Sequence, residues 1–153
     1  MGVQRIILKL DPENKELKNK FIDNINKFVE HDEKRDSFDV YDALYIEKAL
    51  ELDPNNEEFR EKAIESWEKK AKESIINRDL REASNMYKRA LELDPNNERI
   101  KEKLIKNHLN KAYEYLVFEN SIGGAIDEFE EALRLDSNNE EIEKKLRELI
   151  EKM

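Results

Sequence analysis

Two histidines, His31 and His108, are the side chains in this sequence best suited to moving a proton or holding a metal near neutral pH. Neither has a second ligand at metal-binding spacing on its own stretch of helix, and both read as surface residues. The 153 residues contain no cysteine, which excludes disulfides, thiol catalysis, zinc–thiolate sites and iron–sulfur clusters. The three glycines, Gly2, Gly123 and Gly124, form no phosphate-cradling loop. A Gly pair in the first turn of a helix costs roughly 1 kcal/mol per residue relative to Ala, so Gly123-Gly124 reads as a close helix approach or a flexible joint. No Ser, His and Asp arrangement is readable, and the many Glu and Lys side chains read as a solvated helix surface. No enzymatic activity, cofactor or metal is therefore expected.

The formal net charge of −9 argues against wrapping a nucleic acid, whose nonspecific affinity comes from clustered Lys and Arg releasing counterions. Charged residues make up 42% and apolar residues 38%, a mixture that suits surface helices carrying one apolar stripe each. The apolar run in MGVQRIILKL is too short for a signal peptide, and no apolar segment is long enough to span a membrane. The expectation is a soluble, cytoplasmic protein with no membrane partner.

What must position any functional side chain here is a repeated phrase. ALELDPNNE at residues 49–57 recurs letter for letter at 90–98, and ALRLDSNNE follows at 132–140. Pro12, Pro54, Pro95 and Ser137 succeed one another at intervals of 42, 41 and 42 residues, and such a period signals a helical array. LKLDPENKELKNKF near the start fits the same frame, so residues 1–14 read as the last turn of a partial unit. Proline disfavours helix in the residue before it, so the phrase predicts a helix stop around Asp53 and Asp94. Asn56, Asn97 and Asn139 then stand where an N-cap is needed, each followed by Glu in the first turn. Within each unit lies one further break. Asp79 with Glu82 predicts a capping box, Ser121 a cap in the next unit, and Asp36 or Ser37 a cap in the first. Each unit is thus a helical hairpin.

The first helices carry apolar stripes: Leu17, Phe21, Ile22, Ile25, Phe28 and Val29; Phe59, Ala63, Ile64, Trp67, Ala71 and Ile75; Ile100, Leu104, Ile105, Ala112 and Leu116. The second helices bury Tyr45, Ile46, Ala49 and Leu50; Leu80, Ala83, Tyr87, Ala90 and Leu91; Ile122, Ala125, Phe129, Ala132 and Leu133. One hairpin cannot cover its own stripe, so the units must stack. NNEEIEKKLRELIEKM places Ile142, Leu146, Leu149 and Ile150 on one side and charge elsewhere, as a capping helix would. The predicted fold is an all-α, right-handed solenoid of three helix-turn-helix repeats at 15–56, 57–97 and 98–139, with a capping helix at 140–153.

This pattern resembles the tetratricopeptide repeat, whose signature is Trp, Leu-Gly and Tyr, then Ala and Phe, then Pro. Trp67, Ala71 in the place of Gly, Ala83, Tyr87 and Pro95 carry it in the second unit. Ala125 and Phe129 carry it in the third, with Ser137 replacing Pro, and the first unit keeps Ala49 and the LDPNN turn. The family period is 34 residues, so each unit here is longer by about seven or eight, or two helical turns. Trp67 keeps its family distance to Pro95, which places the addition before Trp67, in EEFREKAI.

The resemblance implies an interaction module whose first helices line a concave groove holding an extended peptide or a partner helix. The side of those helices turned from their hairpin partners presents Lys20, Asn24, Lys27 and His31; Lys62, Glu65, Lys69 and Lys72; Lys103, Lys106, Asn107, Asn110 and Glu114. Asn24, Lys27, Lys69, Lys72, Asn107 and Asn110 are the candidate peptide-binding residues. Some members clamp a terminal carboxylate with Lys and Asn from successive first helices, though His31 stands where that pattern has Asn. The competing reading is a structural repeat scaffold, natural or engineered, with no ligand. In either case a monomer is expected, with stacking through repeat ends as the alternative assembly.

Overall fold

The computed structural model describes residues 14–33 and 40–152, the side chains at 28–33 and 40–42 apart. Seven helices and no strand occur among the described residues: α1 Lys15–Glu33, α2 Val40–Leu50, α3 Glu57–Ile76, α4 Leu80–Leu93, α5 Glu98–Val117, α6 Ile122–Leu135 and α7 Glu140–Ile150. Long first helices of 19, 20 and 20 residues alternate with second helices of 11, 14 and 14, the predicted all-α helical repeat. None of the described helices is long and apolar enough to cross a membrane. The proposed caps Asp36 and Ser37, and the partial unit at 1–13, lie outside the described residues.

The repeated phrase explains why the helices stop and restart where they do. Asp94 ends α4 in an extended conformation (φ −145°, ψ 91°) and its N–H donates to the carbonyl of Ala90. Three residues on, Asn97 Oδ1 accepts the Ile100 N–H at 3.2 Å, its Nδ2 donates to Asp94 Oδ2 at 3.2 Å, and its own N–H donates to the Asp94 carbonyl. Asn56 repeats the ring with Phe59 and Asp53 (3.0 and 3.2 Å), and Asn139 with Ile142 and Asp136 (3.1 and 2.9 Å). Asp136 is nearly as extended (φ −137°, ψ 80°) although Ser137 follows it. Proline reinforces the turn; the side-chain ring forms without it. Asn14 Oδ1 accepts the Leu17 N–H at 3.0 Å and caps α1 in the same register.

The breaks inside the hairpins use other chemistry. Asp79 caps α4 by accepting the Glu82 N–H at 2.8 Å, but the predicted capping box is only half made. Its other half fails because the Asp79 N–H already donates to the Ser74 carbonyl and the Glu82 carboxylate takes the Asn85 amide. Arg78, at φ 61°, donates its N–H to Ile75, so α3 ends in a two-bond Schellman motif with arginine at the left-handed position. Ser121 accepts the Gly124 N–H at 3.2 Å and caps α6, as predicted, after Asn120 at φ 49°. A Cβ on Gly124 would lie 2.8 Å from the Tyr115 ring, whereas one on Gly123 would meet nothing within 4 Å. The close-approach reading thus holds for Gly124 alone.

The chain forms two compact units, Met1–Ser66 and Trp67–Met153, with the division falling within α3. In the first, α1 packs on α2, and Phe21, Ile25, Ala43, Ile46 and Ala49 are buried, as are Phe59, Ala63 and Ile64 of α3. In the second, α5 packs on both α4 and α6, and α6 on α7. Its core takes Trp67, Ala71, Leu80, Ala83, Tyr87, Ala90, Ile100 and Leu104, continuing into a cluster of Ala112, Ala125, Phe129, Ala132, Ile142 and Leu149. Each large apolar side chain buried this way contributes roughly 1.5–3 kcal/mol, which is what sets the helix faces. Ile150, expected on the apolar side of the capping helix, is 53% exposed, because the helix ends there.

Candidate interaction surface

The 41-residue register between α3 and α5 pairs Ser66 with Asn107, Trp67 with His108, Glu68 with Leu109, Lys69 with Asn110, and Lys72 with Tyr113. The two helices therefore present different chemistry from equivalent places. On α3, Glu68 has a side chain only 5% exposed and gathers three cations: Lys72 from its own helix at 2.7 Å, and Arg99 and Lys103 from α5. Three cations thus converge on one nearly buried carboxylate. Partial burial, and then the neighbouring Lys72 and Arg99, lower the pKa of Lys103.

Along α5, Arg99, Lys103, Lys106, Asn110 and Tyr113 follow at i, i+4, i+7, i+11 and i+14, a single helix face, with Glu102 and Glu114 at its edges. Lys106 and Asn110 are exposed, and the Tyr113 ring is half-exposed. Lys106 has no ion-pair partner among the described residues, in contrast to Lys72 and Lys103.

The candidate residues fall into distinct settings. Asn24 and Lys27 are exposed on α1, Lys69 is half-buried on α3, Lys72 is exposed but bound to Glu68, and Asn110 is exposed. Asn107 is buried, a correction to its expected place on an open face. Its Nδ2 donates to the Leu80 carbonyl at 2.7 Å and to Ser84 Oγ at 2.8 Å, both on α4. Because α5 is flanked by α4 and α6, its solvent arc is narrower than that of an isolated hairpin, and Asn107 falls inside the flank.

His108 is likewise not a surface residue: it is 2% exposed, with Nδ1 2.6 Å from Glu128 Oε2 of α6. Lys111 holds the other oxygen of Glu128 at 2.5 Å. Burial opposes the charge on Glu128, but hydrogen bonds from His108 and Lys111, with the charge of both, outweigh it and keep this carboxyl below the usual range. An ionised carboxylate only accepts, so Nδ1 is the donor. The signal for this burial was in the register, because His108 stands 41 residues after Trp67, a core position. Trp67 itself is buried, with the Arg89 guanidinium 5.1 Å above its ring. The side chain of His31 lies outside the described residues.

Residues 64–97 match the family model of the tetratricopeptide repeat. That segment is similar to a tetratricopeptide repeat. It begins at Ile64, so residues 57–63 of α3 precede it, within the stretch EEFREKAI where the added length was expected. Tetratricopeptide repeats mediate contacts between proteins, and in this one the buried Trp67, Ala71, Ala83 and Tyr87 fill the signature positions. No curated protein matches the chain.

Proposed function

We propose that the protein is an interaction module that holds an extended peptide or a partner helix against its first helices. The observation that carries this reading is the face of α5, where Arg99, Lys103, Lys106 and Asn110 stand in one row beside Lys72 of α3 in a chain of net charge −9. An acidic protein that gathers cations on one helix face gains a field that attracts an acidic partner and raises its association rate. Lys69 and Asn110 supply amine and amide donors at the same register, and Asn24 and Lys27 offer the same pair on α1. Catalysis has no part in this reading, and the partner is a protein or peptide held by a monomer.

The second reading, a scaffold without a ligand, draws on Glu68, which already engages three cations internally, and on the near-identity of the turn phrases. Selection of a displayed library of random dodecapeptides separates the two. An interaction module enriches acidic sequences whose binding weakens with salt and with Lys69→Glu, Lys27→Glu or Lys106→Glu. Failure to enrich any sequence over a control surface would leave the scaffold reading standing.

A further inference from the structure

The three most exposed large apolar side chains among the described residues are Phe118 (81%), Ile76 (80%) and Val117 (69%). Apolar residues scattered singly over a surface need no explanation, but these three gather at one end of the second compact unit. Ile76 closes α3, Val117 closes α5, and Phe118 is the C-cap of α5. Arg99 and Lys103 of α5 reach Glu68 of α3, so these first helices are neighbours, and the 41-residue register matches Ile76 to Val117, Asn77 to Phe118 and Arg78 to Glu119. Backbone bonds close both helix ends and hold the apolar side chains outward. The Asp79 N–H donates to the Ser74 carbonyl at 2.8 Å after Arg78 at φ 61°, and the Ser121 N–H donates to the Tyr115 carbonyl at 2.9 Å after Asn120 at φ 49°. The two tips differ in charge. Arg78 is an exposed cation beside Ile76, Glu119 is an exposed anion beside Val117 and Phe118, and neither has an ion pair among the described residues. Asp79, next to Arg78, is occupied at 2.8 Å by the Glu82 N–H that it caps.

We propose that these tips pair two copies of the chain end to end, the Ile76 and Arg78 tip of each copy packing on the Val117, Phe118 and Glu119 tip of the other. The occupant follows from the charges. A two-fold axis between the tips sets Arg78 against Glu119 twice and covers three apolar side chains from each copy. Like tips laid together would instead oppose Arg78 to Arg78 and Glu119 to Glu119. Because the dyad uses both tips at once, the assembly closes at two copies and does not grow into a fibre. The turns are already ordered by their own backbone bonds, so contact costs them little freedom. The area is small, so the pair is weak and forms at high protein concentration. It involves the helix ends alone and is independent of the reading above, in which a single copy holds the peptide.

Sedimentation velocity from about 20 μM to about 1 mM, the range a small interface calls for, tests the pairing together with amide chemical shifts over the same dilution series. A monomer is expected at the low end and a dimer at the high end, with concentration-dependent shifts at 75–79 and 116–121. Phe118→Ser should weaken the dimer about tenfold or more and keep the melting temperature, since the ring is exposed. Arg78→Glu and Glu119→Arg should each weaken it about fivefold, because each creates two like-charge contacts, and the double swap should return it to within about twofold of the original. Should Arg78→Glu disturb its turn and lower the melting temperature, Glu119→Arg and Phe118→Ser carry the test between them. A monomer at the highest concentration, a dimer indifferent to Phe118→Ser, or a folded double swap no tighter than the single ones overturns the proposal. A chain that stays monomeric and instead pellets with phosphatidylcholine vesicles through Phe118 assigns the tips to a lipid surface and overturns it as well.

Discussion

Glu128 is a carboxylate surrounded by protein whose charge survives because His108 and Lys111 both reach it. Its folded pKa lies below the unfolded one, so the folded state holds fewer protons than the unfolded state at mildly acid pH. The stability it contributes is complete above about pH 4.3, the ordinary value for Glu, and drains away as pH falls through the folded value. Glu128→Gln is expected to cost about 3 kcal/mol at pH 7, since it leaves the partly buried Lys111 ammonium without its counter-charge and His108 without its carboxylate partner, and to flatten the acid limb. Thermal melts of both proteins from pH 7 down to about pH 2.5 check this. This pair was hard to read in advance because the two partners are 20 residues apart, on different helices, and neither side chain looks apolar. Trp67 and Tyr87 were legible by contrast, since their bulk and helical spacing leave burial as the outcome. Asn107 misled for the same reason as His108: a polar side chain on an inner helix can be satisfied by a neighbouring backbone, here the carbonyl of Leu80.

At the scale of the element, the termini decide more than the propensities. Asn139→Ala removes both the cap on Ile142 and the bond to Asp136, and about 1 kcal/mol of stability should go with them in denaturant unfolding. Ser137→Pro restores the residue found at 54 and 95, and is expected to stabilise by about 0.4–1 kcal/mol by narrowing the unfolded ensemble. The two glycines of α6 should part company. Gly123→Ala is expected to raise the melting temperature, with about 0.5–1 kcal/mol gained, because its methyl group meets open space. Gly124→Ala drives a methyl into the Tyr115 ring and should lower it. The Asn caps and Ser121 were readable because each is a local bond within three residues. The Schellman motif at Arg78 was not, since no glycine marks it, and it takes the N–H that the Asp79 box needed.

For the whole molecule, period was the most informative quantity. Three intervals of 41 or 42 residues disclosed the helical hairpins, and the match at 64–97 begins after the first seven residues of α3. The cations of α5 were read as a row, but their unequal pairing was not visible, because it depends on Glu68 of a helix 31 and 35 residues away. The terminal helix carries a prediction of its own. Ile142 and Leu149 of α7 belong to the same buried cluster as Phe129 and Ala132. A chain stopped after Asn138 bares that cluster, and it should melt at lower temperature and self-associate in light scattering at concentrations where the full chain does not.

Each LDPNN turn satisfies its capping groups within about three residues on either side of Pro or Ser, using only the aspartate, the second asparagine and backbone beside them. A cut and rejoining at two such seams therefore leaves no donor or acceptor in the turn looking for a partner that the splice removed. Duplicating residues 57–97 in frame should yield a longer chain that still folds. Genetic growth by whole units is open to this sequence without a new junction having to be invented.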